Sequence, residues 1–228
     1  MAHILITSGP TRQYLDPVRY LTNASSGRMG AALAQAALDL GHRVTIVSGP
    51  VMIAYPPNAS VIDVVTTRDM LQAVAHAFPG CDGLIGAAAP CDYEPRQVAS
   101  QKMSKTGEPL LLELVETPDV VATTACQKQA GQWIVGFALE TEDVRFRALA
   151  KMERKCCDMM VLNGPSAIDS ASNTVHVFAR NGRELESVQG DKSHVASAIL
   201  GWIQKLLIDN MSIDDALLRP DRNFNSDG

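Results

Sequence analysis

The sequence predicts an α/β protein: a doubly wound, mostly parallel, Rossmann-like sheet with an antiparallel edge hairpin and a protruding flap. Three observations carry this. Short apolar runs, among them HILITS (His3–Ser8), RVTIVS (Arg43–Ser48) and WIVGFAL (Trp133–Leu139), read as strands buried on both faces. Helix-forming stretches lie between them, of which MGAALAQAALDL (Met29–Leu40) is the strongest. Near the C-terminus, NTVHVFAR and RELESV flank Asn181-Gly182, a hairpin turn signal. Strands alternating with helices imply a parallel sheet covered on its faces.

In chain order, His3–Ser8 stops at Gly9-Pro10 and feeds a long polar loop, Gly9–Gly30. Met29–Leu40 ends at Gly41, a favourable residue just past a helix. Arg43–Ser48 stops at a second Gly-Pro pair and completes a βαβ unit. Ser60–Thr66 is expected as an outer strand, and Thr67–Phe78 as a helix capped by Thr66 or Thr67. Asp82–Ala89 reads as a strand ending in small residues. Pro90–Val115 has no helical period, so it reads as a flap over about 90–116 with an extended arm at LLLELV. Thr117 at the N-cap and Pro118 in the first turn then open a helix. In Glu142–Cys157 the residues Val144, Phe146, Leu149 and Met152 are spaced like one helix face. Asp158–Leu162 is a strand, Asn173–Val188 the hairpin and His194–Ile208 the last helix. Residues 1–208 form one domain, and the polar tail 209–228 is expected to be disordered.

Composition excludes several classes. The 228 residues are 46% hydrophobic and 20% charged, with a net charge of −5, which suits a globular protein and gives no support to nucleic-acid or anionic-membrane partners. No apolar run approaches the roughly 18–20 residues that span a bilayer, and the N-terminus does not read as a signal peptide. Five cysteines without ligand spacing argue for reduced thiols rather than a disulfide framework or a zinc site. A cytoplasmic protein is the expectation.

In open α/β sheets ligands bind beyond the carboxyl ends of the strands, where Gly9–Gly30, Ala87–Tyr93, Gly136–Thr141 and Asn163–Pro165 arrive. The first turn reads SGPTRQ and lacks GxGxxG, which argues against a dinucleotide dehydrogenase; no Walker A loop occurs either. Ser25, Ser26 and Gly27 sit at a helix start, where free N–H groups favour an anion, although a serine there also serves as a plain cap. Lys102 and Lys105 lie on the flap, and Lys151 and Lys155 are four apart on one helix face. Singly, each has an ordinary reading as solvated surface, and Asp92 as a turn.

Together, the ordered segments ITSGPTR, LDPVRYLTNASSGRMG, VTIVSGPV, AAAPCDY, KMSK, TPDVV, VGFALET and KxxxK resemble the phosphopantothenate–cysteine ligase (phosphopantothenoylcysteine synthetase) family in its bacterial stand-alone form, over about residues 3–205. The resemblance implies a dimeric enzyme that uses CTP, with ATP as the alternative, and Mg²⁺ to activate 4′-phosphopantothenate as an acyl-cytidylate. Cysteine then displaces CMP. Mapped by motif, Asn23 would hold the reacting carbonyl and Lys102 would neutralise phosphates. Arg19 would order the loop, Ser25 and Gly27 would seat the substrate phosphate, and Ala88 and Ala89 would line the pantothenate channel. Asp92, Thr117, Pro118, Asp119 and Phe137 would shape the nucleotide pocket, and Lys151 and Lys155 would contact the nucleotide. The metal ligands stay unassigned. The flap motif departs from the common KxKK at Ser104, Cys91 replaces a small residue, and the stretch after Asn163 lacks an aromatic. Decarboxylation is expected from a separate protein. A catalytically idle nucleotide-binding module, or an NAD(P) oxidoreductase, are the competing readings.

Overall fold

The computed structural model describes residues 1–139, 143–163 and 173–218. The chain opens with β1 (His3–Ser8), a small hairpin of β2 (Arg12–Tyr14) and β3 (Tyr20–Thr22), helix α1 (Arg28–Asp39), β4 (Arg43–Ser48) and β5 (Ser60–Asp63). Helix α2 (Thr67–Ala77), β6 (Gly83–Gly86), the flap strands β7 (Tyr93–Pro95) and β8 (Leu114–Glu116), α3 (Val120–Ala125) and β9 (Trp133–Leu139) follow. The last part carries α4 (Val144–Arg154), β10 (Met159–Asn163), β11 (Asn173–Ala179), β12 (Glu184–Gly190), α5 (Lys192–Ile203) and α6 (Ile213–Leu218).

Eight strands make one sheet in the order β12-β11-β10-β9-β6-β1-β4-β5, antiparallel only where β11 joins β10 and β12. Both faces are covered. The small side chains of α1 let Leu33, Ala34 and Ala37 pack fully buried against the sheet, with Val195, Ile199 and Leu200 of α5 beside them. Met70 and Val74 of α2, Val120 of α3 and Ala148 and Met152 of α4 seal the other face. Burying a leucine or isoleucine side chain contributes about 1.5–3 kcal/mol, which is why these runs and not the polar loops set the strand order.

The strand order places the crevice. From β1 the chain moves outward through β4 to β5, then returns to the other side of β1 with β6 and continues to β9 and β10. The direction reverses between β1 and β6, so their carboxyl ends diverge into loops on opposite sides, the usual ligand position in such sheets. There Pro10 and Ala89 form an isolated parallel bridge, and the Ala89 N–H donates to Gly9 O at 2.9 Å.

Several boundaries differ from expectation. The outer strand ends at Asp63 because Thr66 forms a capping box with Asp69. The strand expected over Asp82–Ala89 keeps only Gly83–Gly86, since Ala89 leaves it to bridge Pro10. Thr117 and Pro118 do not start α3: Asp119 is its N-cap, accepting from the Ala122 N–H at 3.0 Å. In α4, Phe146 is 76% exposed, and Ala148 rather than Phe146 faces the core with Met152. The polar loop holds the β2–β3 hairpin, with Tyr14 edge-on to Tyr20. The extended arm of the flap shrinks to Leu114–Glu116, paired with Tyr93–Pro95, and Leu110, Leu111 and Leu112 are exposed. The last helix starts earlier, at Lys192 behind the cap Asp191, and finishes in a π-turn over Gln204–Ile208. Where a disordered tail is expected, Ile213–Leu218 is helical with Ala216 buried; residues 219–228 lie outside the described residues. Glu140, Thr141, Gly164 and Pro165 also fall outside them.

Candidate active site at the strand ends

The N-terminus of α1 opens the site. Its cap is Gly27, at φ 75°, with no side chain bonding the first turn, so neither Ser25 nor Ser26 is the cap. Left-handed backbone there favours glycine. Ser8 at the end of β1 fixes this turn: its hydroxyl donates to Gly27 O at 3.1 Å. Gly30 lets the helix approach the strand, since a Cβ there would stand 2.1 Å from Ser8 Oγ. The first turn carries Arg28 and no acid, so the helix dipole and the side chain both favour an anion.

Facing it is the ribbon Ala89–Asp92, pinned from several directions. Asn23 Nδ2 donates to Pro90 O at 2.9 Å and to Ala89 O at 3.3 Å. Thr117 donates twice, its hydroxyl to Cys91 O at 2.6 Å and its N–H to Asp92 O at 2.9 Å. Burial pushes the Cys91 thiol pKa up, so this cysteine packs under the hairpin as an unreactive thiol.

Two clefts flank the ribbon. One, of about 430 Å³, is lined by Asp92, Thr117, Pro118, Asp119, Phe137 and Lys155, with Arg154 and Val121 beside them. Lys155 Nζ lies 3.0 Å from Asp119 Oδ2. Burial alone would raise the Asp119 pKa, but the Ala122 N–H and Lys155 outweigh it and hold the carboxyl below its ordinary range. The second cleft, of about 420 Å³, takes Asn23, Ser25, Gly27, Ala89, Lys151 and Lys192, together with Arg28. The clefts share three residues: Ala88, Asp92 and Phe137.

The structure thus separates Lys151 from Lys155: the shared helix face splits, because Lys155 is the C-cap of α4 and turns to Asp119. Arg19 reaches neither cleft and pairs with Asp16, which is fully buried. Lys102 is exposed and lines neither cleft; the neighbouring Met103 docks the flap on Asp16 and Arg19 instead. Arg28 and Lys192 were not singled out by sequence reasoning. Arg28 lies inside SSGRMG and could have been found there, whereas Lys192 carries no local signal beyond following Asp191 at a helix start.

The fold and site together define a Rossmann-like protein whose switch-point crevice brings a helix N-terminus free of acidic side chains in its first turn beside two adjoining clefts. The chain belongs to the family described as DNA/pantothenate metabolism flavoprotein, C-terminal domain, whose model matches residues 1–207. It is 40% identical over 210 residues to the coenzyme A biosynthesis bifunctional protein CoaBC of Vibrio vulnificus (strain YJ016), covering 90% of this chain and 52% of that protein. The Escherichia coli (strain K12) CoaBC is 41% identical over 190 residues, covering 80% and 47%. The crystal structure of the C-terminal domain of a CoaBC protein superposes with a TM-score of 0.76 at 35% identity, covering 91% of this chain and 96% of that one. The chain spans about half the length of the curated relatives it matches. The family resemblance read from the motifs is borne out.

Proposed function

We propose that the chain joins 4′-phosphopantothenate to cysteine, with CTP activating the carboxylate as an acyl-nucleotide. The observation that carries this reading is the wall of Ala88, Asp92 and Phe137 shared by the two clefts. Bringing a carboxylate onto an α-phosphate requires two anions side by side, and adjoining clefts supply that proximity. The cleft of Phe137, Val121 and the Asp119–Lys155 pair suits a nucleoside, having apolar surface and balanced charge. The cleft of Arg28, Lys151, Lys192 and the α1 N-terminus suits a phosphate-bearing acid. Membership of a family whose relatives are named for coenzyme A biosynthesis supports the same reading.

The carboxylate oxygen attacks the α-phosphorus and pyrophosphate leaves. The cysteine amine then attacks the acyl carbon, losing a proton, and CMP leaves from the tetrahedral centre. Asn23 supplies an N–H to that oxyanion by releasing its longer bond, the 3.3 Å contact to Ala89 O. Lys102 serves the phosphates only after the flap leaves its dock, and in a homodimer it would serve the neighbouring site. Mg²⁺ would accompany the triphosphate, as this ion is usually held by substrate phosphates with one or two carboxylates, and no residue is assigned to it. A decarboxylase acts on the product in the next step. Among the described residues no helix is long and apolar enough to cross a membrane.

The test is pyrophosphate release from CTP or ATP with 4′-phosphopantothenate, cysteine and Mg²⁺. Release that requires the acid supports the reading, and none with either nucleotide overturns it. One observation favours the idle-module alternative, namely that Lys102 and Lys105 are both exposed and outside the clefts. Tight CTP binding without turnover would select that alternative.

A further inference from the structure

Beneath the Ala89–Asp92 ribbon lies a set of buried polar side chains that line neither cleft. Thr11 and Thr67 are both 0% exposed and Gln13 is 3% exposed. The Cys91 N–H donates to Thr11 Oγ1 at 2.9 Å, the two threonine hydroxyls lie 2.8 Å apart, and Thr67 Oγ1 donates to Cys91 O at 3.2 Å. Gln13 Nε2 donates to Thr67 Oγ1 at 2.8 Å. Each hydroxyl has one proton, and a single ordering satisfies all four contacts. The Thr67 proton goes to Cys91 O, so the Thr11 proton must go to Thr67, which leaves the second Thr67 lone pair for Gln13. The ring closes on one residue, Cys91, from both its N–H and its C=O, and so holds the two peptide units that flank its Cα.

Cys91 sits between the two features the reaction needs. On its N-terminal side are the Ala89 and Pro90 carbonyls that hold the Asn23 amide, and on its C-terminal side is Asp92, in the wall common to both clefts. Thr67 belongs to α2 and Gln13 to β2, so the ring ties the ribbon to two elements that themselves stand clear of the substrates. The geometry points to Thr67 and Gln13 as positioning residues for the joining reaction: Thr67 holds the Cys91 C=O directly and its N–H through Thr11, Gln13 holds Thr67, and the set acts through Cys91 on Asn23 and Asp92. This inference rests on the ligase reading above.

Thr67→Val keeps the shape of the side chain and removes the hydroxyl, while Thr67→Ser keeps the hydroxyl. A shift of the ribbon by a fraction of an ångström to 1 Å should lower kcat in Thr67→Val by about 10–100-fold. Because Pro90, Cys91 and Asp92 also line the nucleotide-type cleft, KM for CTP should rise as well, but by less than kcat falls, and Thr67→Ser should recover most of both losses. Thr67→Val also strands the Gln13 amide and the Thr11 hydroxyl, so it can lower stability by itself. The variant Thr67→Val/Gln13→Met removes donor and acceptor together and should regain much of the lost Tm. Positioning predicts that its kcat stays low while Tm returns. Recovery of kcat in step with Tm, or an unchanged kcat in Thr67→Val, overturns the inference. If the wild-type protein binds 4′-phosphopantothenate but releases no pyrophosphate, the ligase reading fails. The ring is then judged by calorimetric affinity for that acid, which the double variant must weaken for the positioning role to stand.

Discussion

The Asp16 carboxylate meets the Arg19 guanidinium at 2.5 Å, and the same oxygen accepts the Met103 N–H at 3.1 Å, so one buried acid ties the polar loop to the flap. Its other oxygen accepts from the Val18 and Arg19 N–H groups, both at 2.8 Å. Burial alone would raise its pKa, but the Val18, Met103 and Arg19 N–H donors and the guanidinium outweigh it and hold the carboxyl at about 2, below the ordinary 3.8. A depressed folded value means that the contribution is complete above about pH 4 and disappears as pH falls toward about 2. Hydrogen exchange at the Met103 amide should therefore be protected above that window, after allowing for intrinsic rates, and lose protection within it. Asp16→Asn should expose this amide at every pH and abolish the step. A step that survives in the variant would assign it to another group.

The Asp119–Lys155 pair does two jobs that substitutions can separate. Asp119 caps α3 and also holds Lys155 in the cleft lined by Val121 and Phe137. Asp119→Asn keeps an N-cap oxygen and should cost little stability, whereas Asp119→Ala should cost about 0.5–2 kcal/mol. Both lose the ionic partner of Lys155. If that pair shapes the nucleotide cleft, both should raise KM for CTP by a similar factor, roughly tenfold, with KM for the acid unchanged. Effects on KM that follow the stability losses would mean that only the cap matters.

The sheet was legible because apolar runs declare themselves locally: β1, β4, β9 and the β11–β12 hairpin stand where the sequence indicates. What failed depended on distant partners. The β2–β3 hairpin has little apolar content and is held by Tyr14 against Tyr20 and by Arg12 over the Tyr20 ring, contacts that a linear pattern does not encode. The cap of α1 looked like a serine, yet the close approach of Gly30 to Ser8 makes Gly27 the turning residue. The site residues came from motif resemblance more than from periodicity. For Lys102 and Lys155 the motif named the residue without indicating that one stands exposed beside the docked Met103 and the other pairs with Asp119.

Lys192 tests the part that no motif named. It stands in the first turn of α5 and lines the same cleft as Arg28, Lys151 and the α1 N-terminus. A charge-assisted hydrogen bond contributes about 1.5–3 kcal/mol, so Lys192→Gln should weaken a phosphate-bearing ligand by about 10–100-fold. Calorimetry with 4′-phosphopantothenate and with pantothenate separates the terms. The loss should fall on the phosphorylated acid and shrink at high salt. An equal loss for both acids would make Lys192 a contact to the carbon skeleton, and a loss confined to CTP would put the nucleotide phosphates at this helix.

Asn23 separates donor from latch. Asn23→Asp keeps the shape but turns an N–H pair held by the Ala89 and Pro90 carbonyls into a carboxylate facing them. Asn23 is exposed, so the new charge can rotate into water, and stability should change by no more than about 0.5 kcal/mol. Its effect on rate is a different matter, because losing one oxyanion donor costs about 10²–10³ in kcat. Asn23→Ala removes the donor without adding repulsion. If donation to the oxyanion is what counts, both variants should lose kcat by comparable factors with KM for CTP little changed. If Asn23 chiefly latches the ribbon, Asn23→Asp should be much the worse of the two, and its loss should be accompanied by a raised KM for both the acid and CTP, since Ala89 lines the cleft of Arg28 and Lys192 and Pro90 the cleft of Asp119 and Lys155.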